Sequence, residues 1–305
     1  MQTSELNVIT GAFGYTGKYI TSRLLSMEKR VLNLTGHPDR HNQFGDQVGV
    51  AHFNFDRPGE LVKSLTGATT LYNTYWVRFP YKNANYDSAV KNTLVLLKAA
   101  EEAGVRRIVH VSITNACKDS SLPYFKGKGL LEKSIVNSKL SHAIIRPTVI
   151  FGTEDILINN IAWILRNFPA FAIPGNGSYR LQPVFVEDMA EIAVNAGQSE
   201  ENMILDAVGP EIYTFDEMVR LIAAKVNSKA KIVHLAPKIA LSLSKIVGRM
   251  LNDVLLTRDE VEGLMANLLV SDKPPTGKTR LSDWLSDNRA KVGVKYSSEL
   301  GRHYR

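Results

Sequence analysis

The sequence predicts an α/β fold: a doubly wound parallel sheet of the Rossmann type, followed by a smaller, mainly helical C-terminal lobe. Three observations support this prediction. Short β-branched runs alternate with helical patterns in the first two-thirds of the chain, as right-handed βαβ crossovers require. A glycine-rich turn joins the first predicted strand to the first predicted helix. After Gly152 the alternation stops, and helical patterns dominate from Pro210 onward.

The first part of the chain predicts six strands with helices between most of them. The strands are short apolar runs bounded by turn residues, at Asn7–Thr10, Val31–Thr35, Val50–Asn54, Thr69–Asn73, Arg107–Ile113 and Ala143–Arg146. The helices are segments with apolar residues at helical spacing, at Gly17–Met27, Glu60–Leu65, Tyr86–Ala103 and Tyr124–Asn137. This order of elements predicts a parallel sheet that is covered by helices on both faces.

The rest of the chain predicts the smaller lobe. Prolines and glycines between Pro169 and Gly177 predict an irregular connection. A strand is predicted at Met203–Ala207, and helices at Ile156–Phe168, Val186–Asn195, Thr214–Val226, Ile239–Leu251, Arg258–Leu268 and Leu281–Lys291. We therefore expect residues 1–152, rejoined by residues 184–209, to form a dinucleotide-binding domain. Residues 153–183 and 210–305 would form a lobe that supplies substrate specificity.

Composition and charge argue against several classes of protein. The chain has 305 residues, 44% hydrophobic and 22% charged, which is ordinary for a globular protein. Its one cysteine, Cys117, excludes an internal disulfide or a site of several thiolates. His37 and His41 have helical spacing but no third ligand nearby, so we expect no metal. The net charge of +7 comes from scattered cations interleaved with acidic residues, so we expect no nucleic-acid partner.

Hydropathy bears on location. No stretch approaches the ~18 apolar residues that a transmembrane helix needs, and the polar Met1–Leu6 lacks a signal-peptide pattern. With the single cysteine, these features predict a cytoplasmic protein. The segment Pro237–Leu251 has two interpretations, because its apolar residues share a face while its cations lie elsewhere. Such a helix can lie on an anionic membrane, but we expect its apolar face to be buried against neighbouring helices. That face consists of Ile239, Leu243, Ile246, Val247 and Met250, and the cations are Lys238, Lys245 and Arg249.

The glycine turn predicts a site for a diphosphate. Gly11, Gly14 and Gly17 end the first strand and open the first helix. Glycine permits a tight turn and a close approach of backbone N–H groups to a pyrophosphate, and the helix dipole favours the negative charge. A plain strand-to-helix turn is the alternative. We expect the cofactor contacts to come from Gly11, Phe13, Gly14, Tyr15, Thr16 and Gly17.

The spacing from Thr10 to Gly17, Thr-Gly-x-x-Gly-x-x-Gly, resembles the signature of the extended and atypical short-chain dehydrogenase/reductases. That superfamily includes nucleotide-sugar epimerases, and NmrA-like regulators share its dinucleotide-binding fold. The resemblance extends to about Gly209. It is closest to a branch that joins epimerase-like proteins to an NADPH-binding accessory subunit of respiratory complex I. The segment Arg146–Gly152 is similar to the family's nicotinamide-contacting loop, which implies contacts from Pro147 and Val149.

The end of the second strand bears on the choice between NAD and NADP. The resemblance predicts an acidic residue there for NAD, because a carboxylate accepts hydrogen bonds from the ribose 2′-hydroxyl and repels a 2′-phosphate. Thr35 occupies this position, and His37 and Arg40 follow it. We therefore favour NADP. Asp39 lies close enough along the chain to keep NAD as the alternative.

The resemblance implies further cofactor contacts after the third and fourth strands. Phe55 and Asp56 are similar to the pair that brackets adenine in this superfamily, although Asp56 equally suits a solvated turn. Asn73, Thr74 and Tyr75 follow the fourth strand, where the family's chain passes the cofactor. The bulky segment from Tyr75 to Phe79 departs from the small residues common there, which indicates a specialisation beside the substrate.

Three residues form a candidate catalytic group. Ser112 ends an apolar strand, and Tyr124 and Lys128 are four residues apart on one helical face. A phenol with a pKa of ~10 is a poor acid–base catalyst at neutral pH, and a neighbouring ammonium favours its ionised form. Ser112 would orient the substrate oxygen. The resemblance adds Asn92, which matches the asparagine of the helix that supports the catalytic group. Packed aromatic and solvated lysine side chains are the alternative.

These residues leave two hypotheses about function. The first is an NAD(P)-dependent oxidoreductase or nucleotide-sugar epimerase-like enzyme, acting on a nucleotide sugar or another carbonyl or alcohol. The second is a non-catalytic NADPH-binding sensor or assembly factor. The presence of Ser112, Tyr124 and Lys128 favours the first. Gly127, where extended members often have serine, and the bulky Trp76 segment favour the second. The substrate and the oligomeric state stay open.

Overall fold

A seven-stranded sheet organises the first part of the molecule. The computed structural model describes residues 5–303, so residues 1–4 of the polar N-terminal stretch lie outside it. The chain divides into two units. The first unit contains the residues up to Pro147 together with Val186–Ala207. The second contains Thr148–Phe185 and the residues from Val208 onward.

Strands and helices alternate through most of the chain. Up to Pro147 they are β1 (Leu6–Thr10), α1 (Tyr15–Ser26), β2 (Arg30–Thr35), β3 (Val48–His52), α2 (Pro58–Leu65), β4 (Ala68–Asn73), α3 (Tyr86–Glu102), β5 (Arg107–Val111), α4 (Pro123–Val136) and β6 (Ser141–Pro147). After Pro147 they are β7 (Ile150–Phe151), α5 (Leu157–Asn167), β8 (Ala170–Pro174), β9 (Arg180–Leu181), β10 (Val184–Phe185), α6 (Val186–Gln198), β11 (Met203–Ala207), β12 (Tyr213–Thr214), α7 (Phe215–Lys225), β13 (Lys231–Leu235), α8 (Pro237–Leu251), α9 (Arg258–Met265), α10 (Leu281–Asn288) and α11 (Glu299–His303).

The sheet of the first unit is parallel, with the strand order β11-β6-β5-β4-β1-β2-β3. The predicted Rossmann-type fold is confirmed. The chain leaves β1 toward β2 on one side and returns through β4 on the other, which makes this point a topological switch. Ligands of such sheets bind beside the carboxyl ends of the strands at the switch. Thr10 and Asn73 are paired there at the ends of β1 and β4.

The predicted elements of the first unit differ from the observed ones mainly at their ends. Helices α2 and α4 begin earlier than predicted, at Pro58 and Pro123, because proline fits the first turn of a helix. Strand β3 ends at His52 and not at Asn54, which has a φ of 47° and therefore leaves the extended conformation. Helices α3 and α4 pack against each other and bring their residues to one face of the sheet.

The second unit contains more strand than the sequence predicts. The prediction of an irregular connection between Pro169 and Gly177 is wrong. Ala170–Pro174 form β8, which pairs in parallel with β13. Pro174 is tolerated because β8 is an edge strand of this two-stranded sheet. The apolar core of this unit is formed largely by α5, β8, α7 and α10.

Helix α8 differs from the prediction in the face that it buries. Its buried residues are Ala240 and Gly248, whereas the apolar face predicted to pack inward is exposed at Ile239, Leu243, Ile246 and Met250. The expectation that neighbouring helices cover this face is wrong. Across residues 5–303, no helix combines the length and the apolar character needed to span a membrane.

Candidate cofactor-binding site

The chain passes from β1 into α1 through a turn that backbone hydrogen bonds hold in place. Gly11 has a φ of 71° and donates its N–H to the Leu34 oxygen at 2.8 Å. Its own oxygen accepts from the Gly14 N–H at 2.8 Å. A Cβ at Gly17 would lie 2.1 Å from that same oxygen. Glycine is therefore required at Gly17, and the predicted glycine turn has the tight geometry that a diphosphate site needs.

Helix α1 begins directly after this turn, and no side chain caps its N-terminus. The N–H groups of a first helical turn have no partners within the helix, and anion sites at helix N-termini use such groups. The predicted contacts Tyr15 and Thr16 lie in this first turn, which contains no acidic residue. Phe13 stacks on Phe44, with ring centroids 6.3 Å apart. The residues of the turn and of α1 therefore fit the diphosphate of a dinucleotide.

Asn33 is a residue that the sequence analysis missed. Its side-chain oxygen accepts a hydrogen bond from the Ala12 N–H at 2.8 Å, which fixes the glycine turn to β2. Asn33 is fully buried. The signal for this role is a polar residue inside the apolar run of β2, because a buried amide must have a specific partner.

The predicted contacts Asn73 and Thr74 belong to a buried network at the carboxyl ends of β1, β4 and β5. The Thr10 hydroxyl donates to the Asn73 side-chain oxygen at 3.0 Å and accepts from the Thr74 and Tyr75 N–H groups at 2.8 and 3.0 Å. Asn73 Nδ2 donates to His110 Nδ1 at 3.0 Å. Burial holds the pKa of His110 well below its usual range, so the imidazole is neutral. The network fixes the backbone that follows β4.

The loop after β2 presents the predicted selectivity residues. The Thr35 hydroxyl is buried and accepts from the His37 N–H at 3.0 Å. The Arg40 N–H donates to the His37 oxygen at 3.2 Å. The side chains of His37, Asp39 and Arg40 are exposed. The imidazole of His37, the carboxylate of Asp39 and the guanidinium of Arg40 are therefore accessible beside the end of β2. In Rossmann-type folds the ribose of a dinucleotide is bound at this strand end.

A cleft of about 450 Å³ lies beyond the carboxyl ends of β2 and β3. The rings of Phe53 and Phe55 are stacked 4.8 Å apart, and the Tyr75 ring lies 5.2 Å from each. Phe55 and Asp56, predicted to bracket adenine, line this cleft, whereas Phe53 and its neighbours were not predicted. The lining residues include Gly36, His52, Phe53, Phe55, Asp56 and Asn92.

Asn92 lies at this cleft, and its side-chain amide donates to the Tyr75 hydroxyl at 2.9 Å. The resemblance implies that Asn92 supports the catalytic group. In this structure its described hydrogen bond holds Tyr75 against the two phenylalanines of the cleft. Burial raises the pKa of Tyr75, so its hydroxyl stays neutral and accepts this hydrogen bond.

Ser112 is part of a buried ionic network. Its hydroxyl donates to Glu132 Oε1 at 2.5 Å. Arg146 donates to the same carboxylate through Nε at 2.9 Å and forms a second bond to Oε2. The sequence predicts that Ser112 orients a substrate oxygen. In the folded chain its proton is directed at Glu132, which lies one turn beyond Lys128 on α4.

Lys128 is 2% exposed, and its ammonium donates to the Val111 oxygen at 2.7 Å. The same nitrogen lies 4.5 Å from the centroid of the Trp76 ring. Burial lowers the pKa of Lys128 to about 7, against the opposing attraction of the Glu132 carboxylate. A lysine in this position exchanges its proton near neutral pH, but it is covered by the indole.

Trp76 also contacts the predicted catalytic tyrosine. Its ring lies edge-on to Tyr124 at 5.7 Å and stacks on Tyr86 at 6.1 Å. A Cβ at Gly127 would lie 2.8 Å from the far end of the indole. The two departures from the superfamily pattern, Gly127 and Trp76, therefore fit each other, because the missing side chain leaves the space that the indole fills.

The last two predicted contacts fall in different units. Pro147 ends β6 in the first unit, and its oxygen accepts from the Thr114 N–H at 2.9 Å. Val149 belongs to the second unit, where its oxygen accepts from the Val184 N–H at 2.9 Å. Within residues 5–303, no group of three or more histidine, cysteine, aspartate and glutamate side chains is arranged to hold a metal.

Comparison with known proteins supports the binding of NAD(P)H by this chain. Residues 11–157 match a family model described as NAD(P)H-binding. An NADPH-dependent quinone oxidoreductase from Escherichia coli, solved with NADPH, has a TM-score of 0.75 at 19% identity, over 92% of this chain and 99% of that one. Triphenylmethane reductase from Citrobacter, solved with NADP(H), has a TM-score of 0.72 at 20% identity, over 94% of this chain and 100% of that one.

A relative from Arabidopsis thaliana is similar over most of the chain. It is the mitochondrial subunit 9 of the NADH dehydrogenase (ubiquinone) 1 alpha subcomplex, 27% identical over 286 residues, which cover 87% of this chain and 70% of that protein. The fold and site thus define an NAD(P)H-binding protein with a reductase- and epimerase-like fold. These similarities agree with the resemblance to the extended and atypical short-chain dehydrogenase/reductases and to the branch that includes a respiratory complex I subunit.

Proposed function

We propose that this protein is an NADPH-binding regulatory or assembly subunit that holds its cofactor without turning it over. The observation that supports this proposal is the position of Trp76, whose indole lies on Lys128 and against Tyr124 in the space left by Gly127. The similarity to a subunit of a respiratory complex agrees with such a role.

The proton-transfer group of the superfamily has internal partners in this chain. Ser112 donates to Glu132, and the Lys128 ammonium donates to the Val111 oxygen. The nicotinamide of a bound cofactor would supply a hydride. A carbonyl that received it would also need a proton from a hydroxyl group placed beside it. With Ser112 and Lys128 engaged within the protein, neither is prepared to assist such a proton transfer.

The residues after β2 support NADPH over NADH. No acidic side chain ends the strand, and the Thr35 hydroxyl is engaged with the His37 N–H. The exposed side chains of His37 and Arg40 are suited to a 2′-phosphate, since charge-assisted hydrogen bonds to phosphate are about twice as strong as neutral ones. The net charge of +7 also favours an anionic cofactor.

A second candidate function is a reductase or epimerase-like enzyme that uses Tyr124 as the general acid and Lys128 to lower its pKa. One observation favours it. The indole nitrogen of Trp76 is buried without a hydrogen-bond partner among the described residues. Packing alone therefore holds this end of the ring, and displacing it would break no hydrogen bond there. Such a displacement would uncover Tyr124 and Lys128 together.

One experiment separates the two functions. NADPH and NADH binding is measured by calorimetry, and NADPH oxidation is followed with quinones, ketones and nucleotide sugars. The wild type, Trp76→Ala, Trp76→Phe and Tyr124→Phe are compared. We expect all four proteins to bind NADPH, and the wild type to oxidise it no faster than buffer does.

Turnover by the wild type that falls about a hundredfold or more in Tyr124→Phe would contradict the proposal and establish the enzyme. Turnover that appears only in Trp76→Ala, with Trp76→Phe inactive, would support the proposal, because it would identify the indole as the group that closes the site. Failure of the wild type to bind either nucleotide would contradict both functions.

A further inference from the structure

Helix α8 presents an apolar stripe to solvent. Ile239, Leu243, Ile246 and Met250 are 53%, 43%, 55% and 75% exposed. Their spacing of four, three and four residues places them on one face of the helix. Exposed apolar residues are ordinary when they are scattered, but a contiguous stripe on one helix marks an interaction surface. We call these four residues the α8 stripe.

The opposite face of α8 is firmly attached to the second unit. Ala240 and Gly248 are buried, and the helix packs against β8. A Cβ at Gly248 would lie 2.6 Å from the oxygen of Asp253, because the chain folds back closely against α8 directly after the helix ends. The α8 stripe is therefore the outward side of a fixed helix.

The charges of α8 are of one sign. Lys238, Lys245 and Arg249 are exposed, and Pro237–Leu251 contains no aspartate or glutamate. At about 100° per residue, the three cations fall on one flank of the stripe, directly beside it. An apolar stripe with cations along its edge and no acid is the pattern of helices that bind anionic membranes.

We propose that α8 docks on an anionic phospholipid surface. The α8 stripe enters the boundary between headgroups and acyl chains, and Lys238, Lys245 and Arg249 contact the phosphates. Charge complementarity selects this occupant over a second copy of the chain. An isologous contact of two α8 stripes would bring two sets of three cations together without an acidic residue of α8 between them. Four side chains are also few for a stable protein interface, which has about 20–30 residues on each side.

The proposal is tested by sedimentation with vesicles of phosphatidylcholine alone and of phosphatidylcholine mixed with phosphatidylglycerol. We expect the wild type to sediment with the mixed vesicles and stay in solution with the neutral ones. The double variant Ile246→Ser, Met250→Ser removes two exposed residues of the stripe. The triple variant Lys238→Gln, Lys245→Gln, Arg249→Gln removes the cations.

Each cation contributes about 1 kcal/mol near an anionic surface, a factor of about five in partitioning. The triple variant should therefore bind about a hundredfold more weakly, and added salt should weaken the wild type. The double variant should lose binding to a similar extent. The matched control Ile212→Ser, Val294→Ser removes two side chains that are 48% and 56% exposed but lie outside α8, and it should bind like the wild type.

Cys117 is the only cysteine, so a Cys117→Ser, Ile246→Cys protein takes an environment-sensitive dye at the stripe alone. Its emission should shift to the blue with mixed vesicles. Binding that is absent, equal for both vesicle types, or unchanged in the double variant would overturn the proposal. So would a wild-type dimer in sedimentation velocity that the double variant converts to a monomer, because the stripe would then belong to a second copy. Unfolding temperatures matching the wild type ensure that the variants are folded.

Discussion

Two regions of the first unit differ in whether their conformation leaves room for a ligand. The glycine turn between Gly11 and Gly17 has the conformation that a diphosphate needs, and no side chain caps the helix behind it. The region around Tyr124 and Lys128 is instead filled by the protein's own Trp76. The difference indicates that the geometry of the turn and the engagement of the residues predicted to be catalytic can vary independently within one fold.

The physical reason is that one region depends on backbone groups and the other depends on side chains. The turn would bind a diphosphate through backbone N–H groups, whose positions depend on a few glycines and on Asn33. The predicted catalytic group depends on side chains, and each side chain can be redirected by one neighbour. Glu132 takes the proton of Ser112, and Trp76 covers Lys128 without altering the backbone of the turn.

The largest effect is expected from Gly17→Ala. The new Cβ would lie 2.1 Å from the Gly11 oxygen, so the turn must move and its N–H groups lose their alignment. We expect NADPH affinity to fall at least about a hundredfold, which corresponds to about 3 kcal/mol. Calorimetry measures this loss. The control is Gly59→Ala in α2, where a Cβ meets nothing within 4 Å. Equal affinities of the two variants would show that the turn does not hold the diphosphate.

The next effect concerns stability. Because burial lowers the pKa of Lys128 from 10.5 to about 7, the unfolded chain binds more protons than the folded chain between these pH values. The free energy of unfolding therefore rises with pH across this window, because the cost of burying the charged ammonium is largest near and below pH 7 and disappears as the pH rises toward 10.5. Lys128→Met should reduce the increase of the free energy of unfolding with pH. At pH 7 it should stabilise the protein by roughly 2 kcal/mol, even though the bond to the Val111 oxygen is lost.

Urea unfolding at a series of pH values measures both effects. Lys126→Met, at an exposed position of the same helix, is the matched control and should leave the pH dependence as it is in the wild type. A Lys128→Met protein that is less stable at pH 7, with an unchanged slope, would mean that Lys128 is not buried under Trp76. The comparison of the two regions would then fail, because the catalytic end would be open like the turn.

The sequence predicts the fold and the tight turn at Gly11–Gly17 well, because both depend on local patterns. Alternating apolar segments define the strands, and the spacing of Gly11, Gly14 and Gly17 defines the turn. The ends of elements were predicted less well, as at Pro123, and strand β8 was missed because its flanking prolines indicate a loop when they are considered alone. Pairing with β13 is a tertiary contact that local propensity does not contain.

The catalytic region could not be predicted because its state depends on contacts between distant segments. Gly127 and Trp76 each stood out as a departure from the superfamily, but only the folded chain shows that one fills the space left by the other. Likewise Ser112 and Glu132 are twenty residues apart in sequence, and their hydrogen bond forms only when α4 packs beside β5. The exposed face of α8 also depends on what the rest of the chain covers.

The smallest expected effect concerns the preference of the cofactor-binding region for NADPH over NADH. Arg40→Ala removes an exposed guanidinium beside the end of β2. If this group binds a 2′-phosphate, NADPH affinity should fall about tenfold, the value of one charge-assisted hydrogen bond of about 1.5 kcal/mol, while NADH affinity stays the same. Lys63→Ala, which removes an exposed cation from α2, should change neither affinity. Equal losses for NADPH and NADH would mean that Arg40 acts through general charge or through the loop, and that the 2′-phosphate has another partner. A selective loss would place phosphate recognition on side chains at one end of the site while the diphosphate depends on the backbone at the other.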